Sequence, residues 1–312
     1  MNINELCFFR NLARCIFLIF LILYCAMSIG CALSPSTKCM GEILETEINS
    51  ENDQYARYRC TAGAHRGDSV HFTENTLAAL KAANDNPKYA FVEFDVQYSK
   101  DGKIVVFHDK RLLRIFGSLR AIGTTSFKKL LEVTDGEIAS YDAVMDTLKD
   151  KKINIEIKSQ GDPDEDMRLA DQIIADIKVR KCSDDVMISS ISDDVIRYIS
   201  RTYPEIRTGQ IFWLTASTYL HFDPLTERLY RKISDTQADY LMLHVANLRN
   251  INSLLKLKPH DKTIVFWDFD DAIYVIHKNF SDRLWGHSLI RTIYEHLRYR
   301  LLFPFHSRKP CS

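Results

Sequence analysis

Neither sign of charge predominates in this chain of 312 residues, in which Lys plus Arg and Asp plus Glu both number 41. That balance excludes a bulk electrostatic attraction to nucleic acid or to an acidic polymer, so any anion has to be recognised by a local cluster. No CxxC pair and no cysteine–histidine pair with zinc-like spacing occurs, which excludes a zinc site. There is no internal repeat beyond strand–helix alternation, and no low-complexity tract. What is present is ordinary for one large globular domain or two small ones, at 46% hydrophobic and 26% charged residues.

The amino terminus departs from that average. Arg10 and Arg14 precede an apolar run from Ile16 to Tyr24, and the small residues Ala26, Ser28, Gly30 and Ala32 follow. A basic start, an apolar stretch and a small-residue exit read as a secretory signal peptide within residues 1–34. The 19 residues from Cys15 to Leu33 are also just enough to cross a bilayer as a retained anchor. In addition, Ser28-Ile29-Gly30-Cys31 loosely resembles a bacterial lipobox, with Cys31 as the lipidated residue. All three readings lead to an exported or membrane-anchored protein, whether secreted, periplasmic or lipoprotein-like, and leave cleavage of the leader open. A polar linker follows at 35–58. Four cysteines lie beyond the leader (Cys39, Cys60, Cys182 and Cys311), and they permit disulfides without fixing a connectivity.

From residue 59 the pattern alternates. Apolar runs read as strands at 59–64, 90–96, 103–107, 153–157, 186–191, 208–213, 239–245 and 263–267. Helical spacing falls between most of them, at 76–83, 127–133, 141–148, 166–179, 194–202 and 251–257. Short strands separated by helices pair in parallel through right-handed crossovers. Residues 59–305 therefore fit an α/β TIM (β/α)8 barrel better than a doubly wound sheet. The strands number eight, or seven if 103–107 is a hairpin return from the strand before it. With seven, the closing strand has to come from 280–289, where Arg283-Leu284-Trp285-Gly286-His287 is a poor strand signal, so an atypical or poorly formed last strand is expected. Residues 290–302 read as a final helix and 306–312 as a tail.

The chemistry is concentrated early in this segment, in Gly63-Ala64-His65-Arg66-Gly67, Glu74-Asn75-Thr76, Glu93-Phe94-Asp95 and His108-Asp109. Strand residues two apart share a face, so Glu93 and Asp95 point into the barrel while Phe94 and Val96 face the helices. Adjacent carboxylates repel unless a cation or protons sit between them, and oxygen ligands at this spacing suit a hard divalent ion, Mg2+ or Ca2+. The competing reading is a solvated strand face of alternating charge, against which the apolar Phe94 and Val96 argue. Glu156 and Lys158 share a face in the same way; alone they read as a simple ion pair, and beside Glu93 and Asp95 as a third metal ligand and a phosphate contact. His65 and His108 stand at strand ends, where two imidazoles can serve as base (or nucleophile) and acid across a scissile P–O bond. Arg66 offers a fork for phosphate oxygens, between glycines that let the backbone approach closely. Thr73 reads as a helix N-cap, and Asn75 as support for a catalytic loop or a substrate contact. Trp213 and Trp267 read as walls of the pocket mouth or as plain core aromatics. The remaining histidines share no spacing and read as structural or surface.

Taken in order, AHRG, ENT, EFDV, DGKIVVFHD and IEIK resemble the glycerophosphodiester phosphodiesterase family over residues 61–268, with smaller echoes in residues 138–148, Ser189-Ser190 and Trp267. The resemblance implies a TIM barrel and a divalent metal held by Glu93, Asp95 and Glu156. It implies His65 and His108 as the catalytic pair and Arg66 and Lys158 on the phosphate, beside which Asn75 and Trp267 read as supporting residues. The implied reaction is metal-dependent hydrolysis of a glycerophosphodiester to glycerol 3-phosphate and an alcohol. The expected partner is then a small-molecule or lipid-derived phosphodiester, not nucleic acid, with membrane association through the N-terminal segment. Two alternatives stay open: a lysophospholipase D-like enzyme acting on membrane lysolipids, and a tethered, catalytically inactive binding module. The related phospholipase D toxins are disfavoured by the HRG and ENT pieces. The chain departs from the family where Asp268-Phe269-Asp270-Asp271 replaces a Thr-Val-Asn-like run, and where an Asp-Gly-Ile-Ile-Thr-Asp-like last strand is missing. Both departures fall on the pocket wall and bear on head-group preference.

Overall fold

Strands that are apolar on both faces need cover on both, and here the sheet obtains it by closing on itself beneath a layer of helices. The computed structural model describes residues 16–21, 60–148, 151–219, 222–269 and 272–276. Its ten strands are β1 (Cys60–Ala64), β2 (Phe91–Tyr98), β3 (Ile104–Val106), β4 (Ala139–Ser140), β5 (Lys152–Ile157), β6 (Val186–Ser190), β7 (Arg207–Phe212), β8 (Tyr240–His244), β9 (Thr263–Phe269) and β10 (Ala272–Ile276). The ring runs β1-β2-β5-β6-β7-β8-β9-β10 and returns to β1, while β3 pairs antiparallel with the C-terminal end of β2 and β4 with β3. This is the TIM-type barrel expected from the sequence.

Seven ring strands are parallel, and 103–107 is the hairpin return that the lower count requires. The closing strand is atypical, as expected, but it is not drawn from 280–289, which lies outside the described residues. β10 follows β9 directly and pairs antiparallel with both β9 and β1, with Cys60 opposite Ile276 and Ala64 opposite Ala272. A hairpin therefore replaces the last crossover. The helical reading of 290–302 also lies outside the described residues.

Helices pack on the ring through residues at helical spacing. In the helix Pro163–Arg180, Leu169, Ile173 and Ile177 are buried, with Asp162 as N-cap, Pro163 in the first turn and Lys181 in the left-handed conformation at the end. These residues meet Phe94, Val96, Ile155 and Ile157 from the outer faces of β2 and β5 in one continuous core. The helix Asp223–Thr236 adds Leu229, Tyr230 and Ile233 to that core. It escaped the sequence patterns above because charged residues crowd its exposed face. The helix Leu77–Asp85 is capped by Thr76, whose hydroxyl accepts from the Ala79 N–H at 3.3 Å, rather than by Thr73 as expected.

A second, smaller cluster of Phe91, Ile211, Met242, Val265, Trp267 and Ile273 fills the ring interior. Glycines make room for it: a Cβ on Gly63 would lie 2.1 Å from the Phe91 ring, and one on Gly209 would lie 2.5 Å from Met242 Sδ. Residues 16–21 of the apolar leader are helical with exposed side chains. Among the described residues no helix is long and apolar enough to cross a membrane. Cys182 is a free thiol.

Candidate active site

Parallel strands deliver their C-terminal ends to one mouth, and the charged residues read from the sequence collect there. His65, Arg66, Glu93, His108, Glu156 and Lys158 line a single pocket, joined on its apolar side by Trp213 and Trp267. Glu93 and Asp95 project inward from β2 and Glu156 from β5, in register with Asp95. All three are buried, and each offers a carboxylate oxygen within 4.8 Å of the others. Lys158 Nζ lies 2.9 Å from Asp95 and 2.5 Å from Glu156. The Arg66 N–H donates to Glu93 Oε2 at 2.8 Å, and its Nε lies 3.4 Å from Asp95.

Burial dominates the electrostatics. It pushes Glu93 well above the usual carboxylate range, with the charges of Asp95 and Glu156 adding to the effect, and it raises Glu156 to about 7. Asp95 is desolvated too, but Lys158 and Arg66 overcome that and hold it ionised. The site thus carries more carboxylate than its two cations neutralise. Glu93 Oε1 is buried without a hydrogen-bond donor. Three converging carboxylates, one of them with an undonated oxygen, fit a hard divalent cation.

Burial also lowers His65, to about 3, and lowers His108, so both rings are neutral near pH 7. His108 Nδ1 lies 2.5 Å from Asp109 Oδ1, which fixes the ring. Asp109 is gripped in turn by Arg114, whose Nε donates to Oδ2 at 2.8 Å. Arg114 donates again to both oxygens of Glu74 at 2.7 Å, and Glu74 accepts from Arg66 Nη1 at 3.0 Å. A chain of charge-assisted bonds therefore links the two histidine loops. Gln97, buried on β2, donates to the carbonyls of Phe107 and Asp109 at 2.7 and 3.0 Å and holds the His108 loop from below.

Asn75 is buried beneath the carboxylates. Its amide donates to Asp95 Oδ2 at 2.8 Å, and its carbonyl oxygen accepts from the Asp95 N–H at 3.2 Å. It supports the loop rather than opening onto the pocket. Trp267 is buried at the end of β9, with its ring 6.3 Å from that of His65. His244, read as structural or surface, belongs to the mouth: it stacks on Trp213 at 4.7 Å and meets Trp267 edge-on at 5.0 Å. Its Nδ1 accepts from the Ala246 N–H, so Nε2 donates to Asp268, the residue at which the chain departs from the family pattern.

Gln97, Arg114 and Asn154 were not singled out for this site, and Glu74 was named in its segment without a role of its own. Asn154 had a signal, since it sits two residues before Glu156 on the same strand face; Ser189 Oγ donates to its Oδ1 at 2.9 Å. Gln97 continues the Glu93, Asp95 alternation in the same way. Arg114 had none, because its partner Glu74 lies 40 residues away.

Known proteins resemble this chain in sequence and fold. Residues 65–278 match the model of the glycerophosphoryl diester phosphodiesterase family. A glycerophosphodiester phosphodiesterase of Caldanaerobacter subterraneus is 31% identical over 166 residues, 48% of this chain and 65% of that protein. The chain thus spans a little under two thirds of that relative's length. A human lysophospholipase D is 36% identical over 73 residues, 23% of each chain. A phosphodiesterase of Oleispira antarctica, solved in complex with the product sn-glycerol-3-phosphate, shares the fold at a TM-score of 0.53 and 21% identity, over 76% of this chain and 96% of that one.

Proposed function

The chain belongs to the glycerophosphoryl diester phosphodiesterase family, and from that premise we propose that it hydrolyses glycerophosphodiesters to glycerol 3-phosphate and an alcohol. The observation that carries this reading is the convergence of Glu93, Asp95 and Glu156 within 4.8 Å at the mouth where His65 and His108 also stand. The product bound to the Oleispira relative supports the assignment of glycerol 3-phosphate.

Glu93, Asp95 and Glu156 would hold the divalent ion, Mg2+ or Ca2+. Bound there, the ion supplies Lewis-acid neutralisation of phosphate charge. Arg66 and Lys158 orient the phosphate and share that neutralisation. His65, kept neutral by burial, takes the proton of the attacking oxygen or attacks phosphorus itself. His108, neutral at rest, has to take up a proton before it can give one to the departing alkoxide, and Asp109 at its Nδ1 favours that uptake. Asn75 keeps Asp95 aligned, and Trp267 walls the pocket beside His65.

The test uses the full chain with glycerophosphocholine, with and without a chelator. His65→Ala and His108→Ala are each expected to lower turnover by about 10²–10⁴-fold, with the circular dichroism spectrum unchanged. Chelator-insensitive turnover, or normal activity in either variant, would falsify the assignment. A lysophospholipase D reading is favoured by the apolar side of the mouth and by the partial match to the human enzyme. Comparing lysophosphatidylcholine with glycerophosphocholine as substrates decides between the two. The apolar leader supports export or membrane attachment, and cell fractionation with carbonate washing tests that placement.

A further inference from the structure

Large apolar side chains exposed to water are unevenly placed on this barrel. Outside residues 16–21, every one among the described residues except Val179 lies at the C-terminal end of the strands, around the pocket mouth. Phe72 follows β1, Ile191 follows β6, and Trp213 and Leu214 follow β7. Leu113 and Leu119 add two more from residues 110–120, where they are 51% and 70% exposed.

Residues 110–120 form a closed loop of distinct composition. Their base is fastened by the Leu112 N–H donating to the Arg120 carbonyl and the Ile122 N–H donating to the Lys110 carbonyl, both at 3.0 Å. Leu112 and Ile122 are buried in a small core of their own. The fold is thus satisfied without Leu113 and Leu119, which project from the loop. The same stretch carries Lys110, Arg111, Arg114 and Arg120 and no acidic residue. Among the described residues neither Lys110 nor Arg120 has an acidic partner. Arg114 reaches Glu74 from this loop, which places it beside the β1 loop that bears Phe72.

We propose that the rim of the pocket docks on an anionic lipid surface, with residues 110–120 as its basic, leucine-tipped foot. The apolar residues come from several separate loops around one opening, not from a single groove, so they suit a broad surface without fixed shape better than a folded protein partner. Cations flanking apolar side chains are the composition that lies at an anionic membrane interface. The inference rests on the phosphodiesterase reading, because docking in this pose presents the pocket to head-group phosphodiesters.

The test places an indole in the foot by Leu119→Trp in the full chain. Its fluorescence is read over the wild-type background with vesicles of acyl-brominated lipid, either phosphatidylcholine alone or phosphatidylcholine mixed with phosphatidylglycerol. The expected result is quenching of the added fluorescence only when phosphatidylglycerol is present. Quenching should be lost when Lys110→Glu and Arg120→Glu are combined with Leu119→Trp, while hydrolysis of soluble glycerophosphocholine stays unchanged. Absence of quenching, or equal quenching on neutral vesicles, overturns the proposal even where the leader keeps the chain on the vesicle. Quenching without glycerophosphocholine hydrolysis would leave docking intact and overturn the phosphodiesterase reading instead.

Discussion

Replacing Asn75 tests how the proposed metal-ligand carboxylates are held. Asn75→Ala removes the donor to Asp95 Oδ2 and the acceptor of the Asp95 N–H, both in a buried setting. Each buried polar group left without a partner costs about 1–3 kcal/mol. Asn75 also has φ of +61°, a left-handed conformation that asparagine tolerates and alanine resists by about 1 kcal/mol. Together these come to about 4 kcal/mol, which for a domain of roughly 200 residues lowers the melting temperature by about 10 °C. Because Asn75 aligns a proposed ligand without being one, metal affinity should also fall by about 10–100-fold. Asn75→Gly gives the reasoning a sign: it loses the same hydrogen bonds but relieves the backbone, so it should be more stable than Asn75→Ala. Asn75→Asp keeps the acceptor and sets a second carboxylate against Asp95, so it should weaken metal binding most. Urea unfolding and metal titration of the three variants measure both effects. Unfolding of Asn75→Ala within about 0.5 kcal/mol of wild type, or glycine no better than alanine, would refute this role of Asn75.

Two further outcomes follow from the same interior. Burial raises Glu156 to about 7 and holds Glu93 well above the usual carboxylate range, so the metal-free ligand set binds protons near neutrality. A divalent ion has to displace them, so apparent affinity should rise with pH through about 7 and binding should release protons. Calorimetry in two buffers of different ionisation heat detects this, and a flat affinity between about pH 6 and 8 speaks against it. Separately, Gly63→Ala drives a methyl into the Phe91 ring, 2.1 Å away, and should destabilise by about 1–3 kcal/mol. Thermal unfolding checks this, with Phe91→Leu in the same chain expected to recover part of the loss. An unchanged melting temperature would mean that Phe91 has room to move.

The site was legible in the sequence because its residues sit where apolar ones belong. A carboxylate between Phe94 and Val92, or between Ile155 and Ile157, has no structural reason to be there, and strand period two assigns it a direction. Lys158 was legible by the same period, two residues after Glu156, and Arg66 by its guanidinium fork between Gly63 and Gly67. Arg114 was not, since its value lies in bridging two loops that only the fold brings together. His244 was hidden by the lack of shared spacing with other histidines, although it ends β8 much as His65 stands just past the end of β1. In the fold, Thr76 displaced Thr73 as cap because the chain turns at Asn75, and the left-handed residue there moves the cap three positions along. The closing strand was missed for a topological reason. Seven parallel strands lead one to seek an eighth beyond another helix, whereas Ala272–Ile276 returns after a two-residue connection as an antiparallel partner.

That return has a kinetic consequence. In the ring as it stands, the first strand is completed only by the last, through pairs such as Thr61 with Val275 and Gly63 with Ile273. Until the ribosome has released residue 276, β1 has one unpaired side and β9 another, and both are open strand edges able to pair with other chains. Pairing across more than two hundred residues carries a large loop-closure cost and is slow to form. Once formed, β9 and β10 close the circle as a single local unit, so a chain that stops short of Ala272 loses the entire closing strand and keeps both sticky edges.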